Sequence, residues 1–170
     1  VIFPLADTDG TYSAEAVAQV ISLLQGKDAV LIGPGMGRSE GAESVLCAVL
    51  ENYSGPVIVD ADGITLLSKH KDLLRGRTYP TILTPHLGEF LRFGGSLDRH
   101  PMEAAVRFSR EWNCILLLKG HRTCITDGTR GYLNQTGNPG MAVGGSGDVL
   151  SGIIGSAVAQ GFSPYDAACA

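Results

Sequence analysis

The chain has 170 residues, of which 44% are hydrophobic and 18% are charged, and its formal net charge is −4. This length and composition predict one well-packed globular domain and exclude an intrinsically disordered chain. Lys and Arg do not cluster and no apolar run is long enough to span a bilayer, so we expect neither nucleic acid nor a membrane as a partner. The four cysteines are scattered without a Cys-x-x-Cys pair, which predicts reduced thiols in a cytoplasmic protein.

Helical and strand-like segments alternate along the chain. In chain order the pattern predicts a helix over 13–26, a strand over 29–33, a helix over 39–53, a strand over 56–63, a strand from 81 that runs through a polar turn into a helix, a helix over 101–112, a strand over 114–120, a hairpin over 122–135, and helices from about 145 and from 163. Ser13 and Ser39 are candidate caps for the first two helices, and Gly26 is a candidate end for the first.

Apolar strands that alternate with helices predict an α/β fold with a mainly parallel central sheet covered on both faces. In such folds ligands bind beyond the carboxyl ends of the strands. Four polar or glycine-rich segments follow predicted strands, at 33–37, 60–63, 84–89 and 119–123. We therefore expect these segments to line one edge of the sheet.

The stretch GPGMG at 33–37 lies between a strand and a helix, as a dinucleotide fingerprint would. The pattern Gly-x-Gly-x-x-Gly fails, however, because Arg38 stands where the third glycine is required. A Walker A loop is excluded as well, since Lys27 is followed by Asp28 rather than by Ser or Thr. The glycines indicate either close approach of a ligand to the backbone or a tight strand–helix turn.

Charged side chains follow three of the strands. Asp60 and Asp62 could bind magnesium through water or the hydroxyls of a substrate, or Asp62 could cap a helix. His86 and Glu89 lie three residues apart on one helix face, and without further ligands at metal spacing they do not indicate a zinc site. Lys119 ends a buried strand, where it could reach a phosphate group or remain a solvated charge.

The run GGSGD at 144–148 combines a glycine-rich loop with the start of an apolar helix. The backbone N–H groups of Gly145, Ser146 and Gly147 are candidates for an anion hole, and the helix start adds partial positive charge. Asp148 then fits a general base that takes a proton from a hydroxyl while the loop holds the phosphoryl group that the hydroxyl attacks. The alternative is a flexible loop in which Asp148 only caps the helix.

The ordered set GPGMG, VDADG, TPHLGE, KGHRT and NPGMAVGGSGD resembles the ADP/ATP-dependent (S)-NAD(P)H-hydrate dehydratase family of the ribokinase-like superfamily. The resemblance covers nearly the whole chain and implies a three-layer α/β/α fold. It further implies dehydration of the S-form of NADH hydrate or NADPH hydrate, by phosphoryl transfer to the ring hydroxyl and elimination of phosphate. TPHLGE is more similar to the prokaryotic members, which implies ADP as co-substrate, AMP and phosphate as products, and Mg²⁺ as cofactor.

The resemblance also assigns roles to residues of this sequence. Gly37 and His86 would contact the hydrate together with Asp148, which would be the catalytic base. Glu89 would organise magnesium through water. The nucleotide would contact Lys119, Gly120, His121, Arg122, Thr123 and Gly147.

The chain departs from the family pattern at Leu87, where proline is frequent, and the family's domain extends further at both ends. We therefore expect residues 1–170 to be a single catalytic domain that is truncated at both ends, and a companion chain could complete its site. The resemblance implies a homo-oligomer and an epimerase as a partner or fused domain. A ribokinase-like kinase of a vitamin precursor and a non-catalytic nucleotide-binding module remain alternatives.

Overall fold

The computed structural model describes residues 1–79, 81–97 and 100–170. The strands are β1 Asp7–Thr8, β2 Thr11–Tyr12, β3 Val30–Ile32, β4 Val57–Val59, β5 Thr81–Leu83, β6 Cys114–Leu118, β7 Cys124–Thr126 and β8 Gly131–Leu133. The α-helices are α1 Ala14–Leu23, α2 Glu40–Asn52, α3 Asp62–Leu67, α4 Asp72–Arg75, α5 Leu87–Arg92, α6 Pro101–Trp112, α7 Ser146–Ala159 and α8 Pro164–Cys169, and a 3₁₀ turn covers Pro139–Met141.

Six strands form one sheet in the order β3-β4-β5-β6-β7-β8. The first four are parallel because helical crossovers join them, whereas β7 and β8 are antiparallel and follow short turns. Sequence order equals spatial order across the sheet, so the carboxyl ends of β3 to β6 stand side by side. The predicted α/β fold with a mainly parallel sheet is confirmed.

Two apolar cores cover the two faces of the sheet, and alternate strand residues separate them. Val57 and Val59 of β4 join a core shared with α2 to α6, whereas Ile58 joins a core shared with α7 and α8. The strand β6 divides in the same way, with Leu116 on the first side and Leu117 on the second. Burying each of these side chains stabilises the fold by about 1.5–3 kcal/mol.

Local signals set several helix ends. The Ser39 hydroxyl accepts a hydrogen bond from Ala42 N at 3.2 Å and caps α2 as predicted. Ser13 also stands at the cap position of α1, but its hydroxyl donates to the Glu15 carboxylate instead. α1 ends at Leu23, before the predicted end at Gly26, where the backbone turns with φ 66°.

Some elements differ from the sequence prediction. The strand expected over 56–63 stops at Val59, and α3 already begins at Asp62. The β1–β2 hairpin and the single turn α4 were not predicted, because two strand residues or one helical turn carry too little periodicity. Within the described residues, no helix has the length and apolar character to cross a bilayer.

Candidate functional site

The carboxyl edge of β3 to β6 brings together the four segments that follow these strands. Gly37 N donates to the Asp62 carboxylate at 3.2 Å, which joins the loop after β3 to the turn after β4. Lys119 N donates to the Pro85 carbonyl at 2.8 Å, which joins the loop after β6 to the segment after β5. The prediction that these segments line one edge is therefore confirmed.

Gly33 and Gly37 of GPGMG have different environments, which explain a glycine at each position in different ways. A Cβ added to Gly33, which has φ 124°, would lie 1.9 Å from the Asp60 carbonyl oxygen, so this residue serves a tight turn. Gly37 has φ 73°, and a Cβ there would meet nothing within 4 Å. Gly37 therefore faces open space, as a ligand contact requires, while Gly33 closes the loop onto the turn after β4.

A pocket of about 490 Å³ lies between the loop at 35–39 and the β1–β2 hairpin. The hairpin is packed closely on α2, because a Cβ on Gly41 would lie 2.0 Å from the Tyr12 carbonyl oxygen. Asp9 and Gly10 form its turn with φ 53° and 75°. This Asp-Gly pair is the sequence signal that could have revealed the hairpin.

The turn after β4 holds a buried ion pair. The Asp60 side chain is 2% exposed, and its Oδ1 accepts hydrogen bonds from Ala61 N at 2.8 Å and from Lys119 Nζ at 3.0 Å. Sequence reasoning considered these two residues separately, as a magnesium or hydroxyl ligand and as a phosphate contact. The structure pairs them across the end of β5.

Asp62 makes a second set of contacts from the same turn. Its Oδ1 pairs with Arg38 Nε at 2.6 Å, and its Oδ2 accepts the bond from Gly37 N. It lies in the first turn of α3 behind Ala61, so it does not cap that helix. Ala61 is held at φ 49° and ψ −124°, a conformation that costs a non-glycine residue about 1–3 kcal/mol.

His86 and Glu89 form a capping box at the start of α5. His86 Nδ1 accepts from Gly88 N at 2.9 Å, and the Glu89 carboxylate accepts from His86 N at 2.9 Å. Because Nδ1 is an acceptor, the neutral ring carries its proton on Nε2. His86 Nε2 lies 3.6 Å from Glu89 Oε1, and because the His86 side chain is 55% exposed, a ligand can reach this N–H group in competition with that carboxylate.

The segment predicted to contact a nucleotide is the turn between β6 and β7. Gly120, His121 and Arg122 are exposed, and Thr123 is half-buried with its hydroxyl donating to the Gly120 carbonyl at 3.3 Å. Lys119, at the start of the turn, points back over the sheet edge to Asp60. The exposed part of this turn therefore presents backbone and side-chain donors to solvent.

The helix α7 begins at the predicted phosphate loop. Gly145 takes the cap position with φ 87°, and Asp148 lies in the first turn, so Asp148 does not cap the helix. Ser146 donates both its N–H and its hydroxyl to the Val143 carbonyl, so an anion would compete for them. Asp148 is exposed, and among the described residues its carboxylate has no side-chain partner.

The start of α7 lies directly over the buried ion pair. A Cβ added to Gly147 would be 3.3 Å from Lys119 Nζ and 3.8 Å from Asp60 Oδ2. The structure thus brings the predicted anion hole, the predicted phosphate lysine and the candidate base into one place. The Gly37 loop and its pocket adjoin this place through the Asp60–Asp62 turn.

The described residues do not form a cage of protein ligands for magnesium. Across residues 1–79, 81–97 and 100–170, no group of three or more His, Cys, Asp or Glu side chains could hold a metal ion. One Glu89 oxygen is used by the capping box, and Asp60 is compensated by Lys119. These residues fit a magnesium ion that arrives with nucleotide phosphates and keeps most of its waters.

Comparison with known proteins finds a matching family and similar sequences. The sequence model for NAD(P)H-hydrate dehydratase matches residues 3–170. The chain is 40% identical over 165 residues to a bifunctional NAD(P)H-hydrate repair enzyme from Moorella thermoacetica, and this match covers 94% of the chain but 31% of that protein. The chain therefore spans about a third of the length of the curated relatives it matches.

Solved structures of bacterial proteins share the fold. A ribokinase-like superfamily protein from Enterococcus faecalis gives a TM-score of 0.79 at 31% identity, over 91% of this chain and 56% of that one. An ADP/ATP-dependent NAD(P)H-hydrate dehydratase from Bacillus subtilis, co-crystallized with ATP/Mg²⁺, gives 0.70 at 31% identity, over 93% of this chain and 57% of that one. These matches confirm the predicted ribokinase-like fold.

Proposed function

The chain belongs to the NAD(P)H-hydrate dehydratase family, and from this premise we propose that it catalyses ADP-dependent dehydration of the S-form of NADH hydrate or NADPH hydrate. The products would be NAD(P)H, AMP and phosphate. The observation that carries the proposal is the start of α7, where the exposed Asp148 directly follows Gly147, and a Cβ on Gly147 would lie 3.3 Å from Lys119 Nζ.

This arrangement suits phosphoryl transfer to a hydroxyl. Asp148 would take the proton from the ring hydroxyl, whose oxygen attacks the terminal phosphorus of the nucleotide. The N–H groups of Gly145 and Gly147, with Lys119, would stabilise the negative charge of the moving phosphoryl group. Phosphate would then leave with the electrons of the C–O bond, and loss of a proton from the neighbouring carbon restores the ring double bond.

The hydrate would lie between the Gly37 loop and His86. The open face of Gly37 allows close approach of the ring, and the exposed His86 Nε2–H, which lies 3.6 Å from Glu89 Oε1, can donate to a substrate oxygen in place of that carboxylate. The adjoining pocket of about 490 Å³ could accept a further part of the dinucleotide. The family resemblance implies this role for Gly37 and His86, and the exposure of both residues supports it.

The nucleotide would approach over the turn at 119–123. Bound magnesium would neutralise phosphate charge, with Glu89 organising it through water. The relative from Bacillus subtilis is described as ADP/ATP-dependent and was co-crystallized with ATP/Mg²⁺, which supports a magnesium-bound adenine nucleotide as co-substrate. ADP rather than ATP stays our proposal from the TPHLGE segment.

The test mixes the protein with NADPH hydrate, Mg²⁺ and either ADP or ATP, and follows recovery of the nicotinamide absorbance. We expect recovery with ADP. Turnover of a different alcohol in place of the hydrate would favour the vitamin-precursor kinase, and nucleotide binding without any turnover would favour a non-catalytic module.

Asp148→Asn tests the base directly. Loss of a general base lowers the rate by about 10²–10⁴-fold, while nucleotide affinity should stay within a few-fold. Asp166→Asn is a matched control, because it neutralises a first-turn carboxylate on α8, a helix that starts away from this edge. Full activity of Asp148→Asn would remove Asp148 as the base.

Further expectations concern the larger assembly. The relative from Moorella thermoacetica is named a bifunctional repair enzyme, which supports an epimerase as a fused domain or partner. We also propose a homo-oligomer, and residues 1–170 as one catalytic domain that needs further chain for full activity. Four free thiols support the proposed cytoplasmic location.

A further inference from the structure

Asp60 is a buried carboxylate that the proposed chemistry does not use. Its side chain is 2% exposed, and its partners are Lys119 Nζ and Ala61 N, both at Oδ1. A buried ion pair contributes little to fold stability compared with apolar side chains of the same volume. Fold stability therefore does not explain why Asp60 and Lys119 form this ion pair.

The geometry around the pair gives that reason. Lys119 has a long, flexible side chain that could extend into solvent from the end of β6. Asp60 instead holds its ammonium group over the end of β5, 3.3 Å from the place that a Cβ on Gly147, the second residue of α7, would occupy. The ammonium group thus stands beside the helix start before any ligand is bound.

The backbone that carries Asp60 is itself held in place. Ala61, which has the strained conformation, donates its N–H group to Asp60 Oδ1, and Gly33 packs against the Asp60 carbonyl oxygen. Strained residues persist where the surrounding structure over-determines them, and they cluster at functional sites. The carboxylate position is therefore fixed from both the β3 and β4 loops.

We propose that Asp60 is a positioning residue, which holds the Lys119 ammonium group where a nucleotide phosphate docks at the start of α7. The proposal rests on the proposed function for the identity of the ligand. Asp60 acts through Lys119 and does not touch the reacting atoms. Pre-placing the lysine removes part of the entropy that nucleotide binding would otherwise spend on ordering it.

A double-mutant cycle tests this, with Kd for Mg-ADP and Mg-ATP measured by calorimetry on Asp60→Asn, Lys119→Met and the double variant. We expect Asp60→Asn to raise Kd about tenfold, and the double variant to bind within about twofold of Lys119→Met. In turnover, KM for the nucleotide should rise in Asp60→Asn while KM for the hydrate stays within about twofold, a split that a general loss of structure would not produce.

The controls separate the possible failures. Asp72→Asn removes an exposed carboxylate that pairs with Arg75, and it should leave Kd unchanged. If Asp60→Asn or Lys119→Met does not fold, Asp60→Ser or Lys119→Gln replaces it in the cycle. An unchanged Kd in Asp60→Asn, or additive losses in the double variant, would overturn the positioning role.

The binding measurement also separates this inference from the proposed function. If the wild type binds nucleotide but does not dehydrate the hydrate, the proposed function fails and the cycle still decides the role of Asp60. If the wild type binds neither nucleotide, both proposals are overturned.

Discussion

Replacing Gly147 by alanine should separate stability from function at the start of α7. Gly147 is the second residue of this helix, and its φ is not in the left-handed region, so alanine fits the backbone. In a helix, alanine is favoured over glycine by about 0.5–1 kcal/mol. The new methyl group would stand 3.3 Å from Lys119 Nζ, and a flexible ammonium group can shift by a few tenths of an ångström. We expect stability between unchanged and about 1 kcal/mol higher.

Function should respond in the opposite direction. The methyl group would occupy the space in which a phosphate oxygen meets the Gly147 N–H group, and it would displace Lys119 from that position. Losing one charge-assisted hydrogen bond costs about 1.5–3 kcal/mol, which corresponds to about a 10–100-fold rise in Kd for the nucleotide.

Gly152→Ala is the matched control on the same helix. Gly152 is exposed, and a Cβ there would meet nothing within 4 Å. We expect it to raise the melting temperature by about 2–4 °C and to leave Kd unchanged. Melting curves and calorimetric titrations with Mg-ADP on both variants provide the measurement. Wild-type nucleotide affinity in Gly147→Ala would refute the assignment of this helix start to phosphate.

Two further predictions concern stability. Ala61→Gly should relieve the strained backbone and stabilise the fold by about 1 kcal/mol after the entropy cost of glycine, whereas Ala18→Gly on the exposed face of α1 should destabilise it by about 1 kcal/mol in the same urea titration. Equal losses in both variants would contradict the strain at Ala61. Burial opposes ionisation of Asp127, but hydrogen bonds from Arg130 and Thr129 outweigh it and lower its pKa below the ordinary value of 3.8. A carboxyl group whose pKa is lower in the folded state stabilises the fold at pH values above its unfolded pKa, and this stabilisation is lost as the pH falls. Asp127→Asn should therefore lower the free energy of unfolding by about 1–2 kcal/mol at pH 7 and at pH 5, and the difference from wild type should narrow below about pH 4. A difference in unfolding free energy that widens on acidification would contradict this.

The sequence was sufficient to predict the layered sheet because its strands are short, apolar and separated by amphipathic helices. Ile58 and Val59 need apolar neighbours on both faces, which only helices on both sides of a sheet supply. The exact ends of elements were less predictable. β4 ends at Val59 because the chain turns at residues 60–62, where Ala61 has a strained conformation. This turn packs against Gly33 through the Asp60 carbonyl oxygen, so it depends on tertiary contact rather than on local propensity.

The site was predictable in part for a related reason. Residues that follow parallel strands must meet at one edge, so Gly37, His86 and Lys119 could be grouped from sequence alone. The pairing of Asp60 with Lys119 could not, because the two residues are 59 positions apart and their contact depends on β5 lying between β4 and β6. Separation in sequence hides such a pair unless the order of the strands is known.

The environment of each carboxylate decides which one can act as the base. Asp60 is buried and bonded to Lys119, and Asp62 accepts from Arg38 and from Gly37 N. Glu89 holds the His86 backbone N–H in the capping box. Asp148 is exposed, has no side-chain partner among the described residues and lies in the first turn of α7. A base must be within reach of the substrate hydroxyl, and among these four carboxylates Asp148 is exposed, whereas Asp60 and Glu89 are buried and Asp62 is held by Arg38 and Gly37 N.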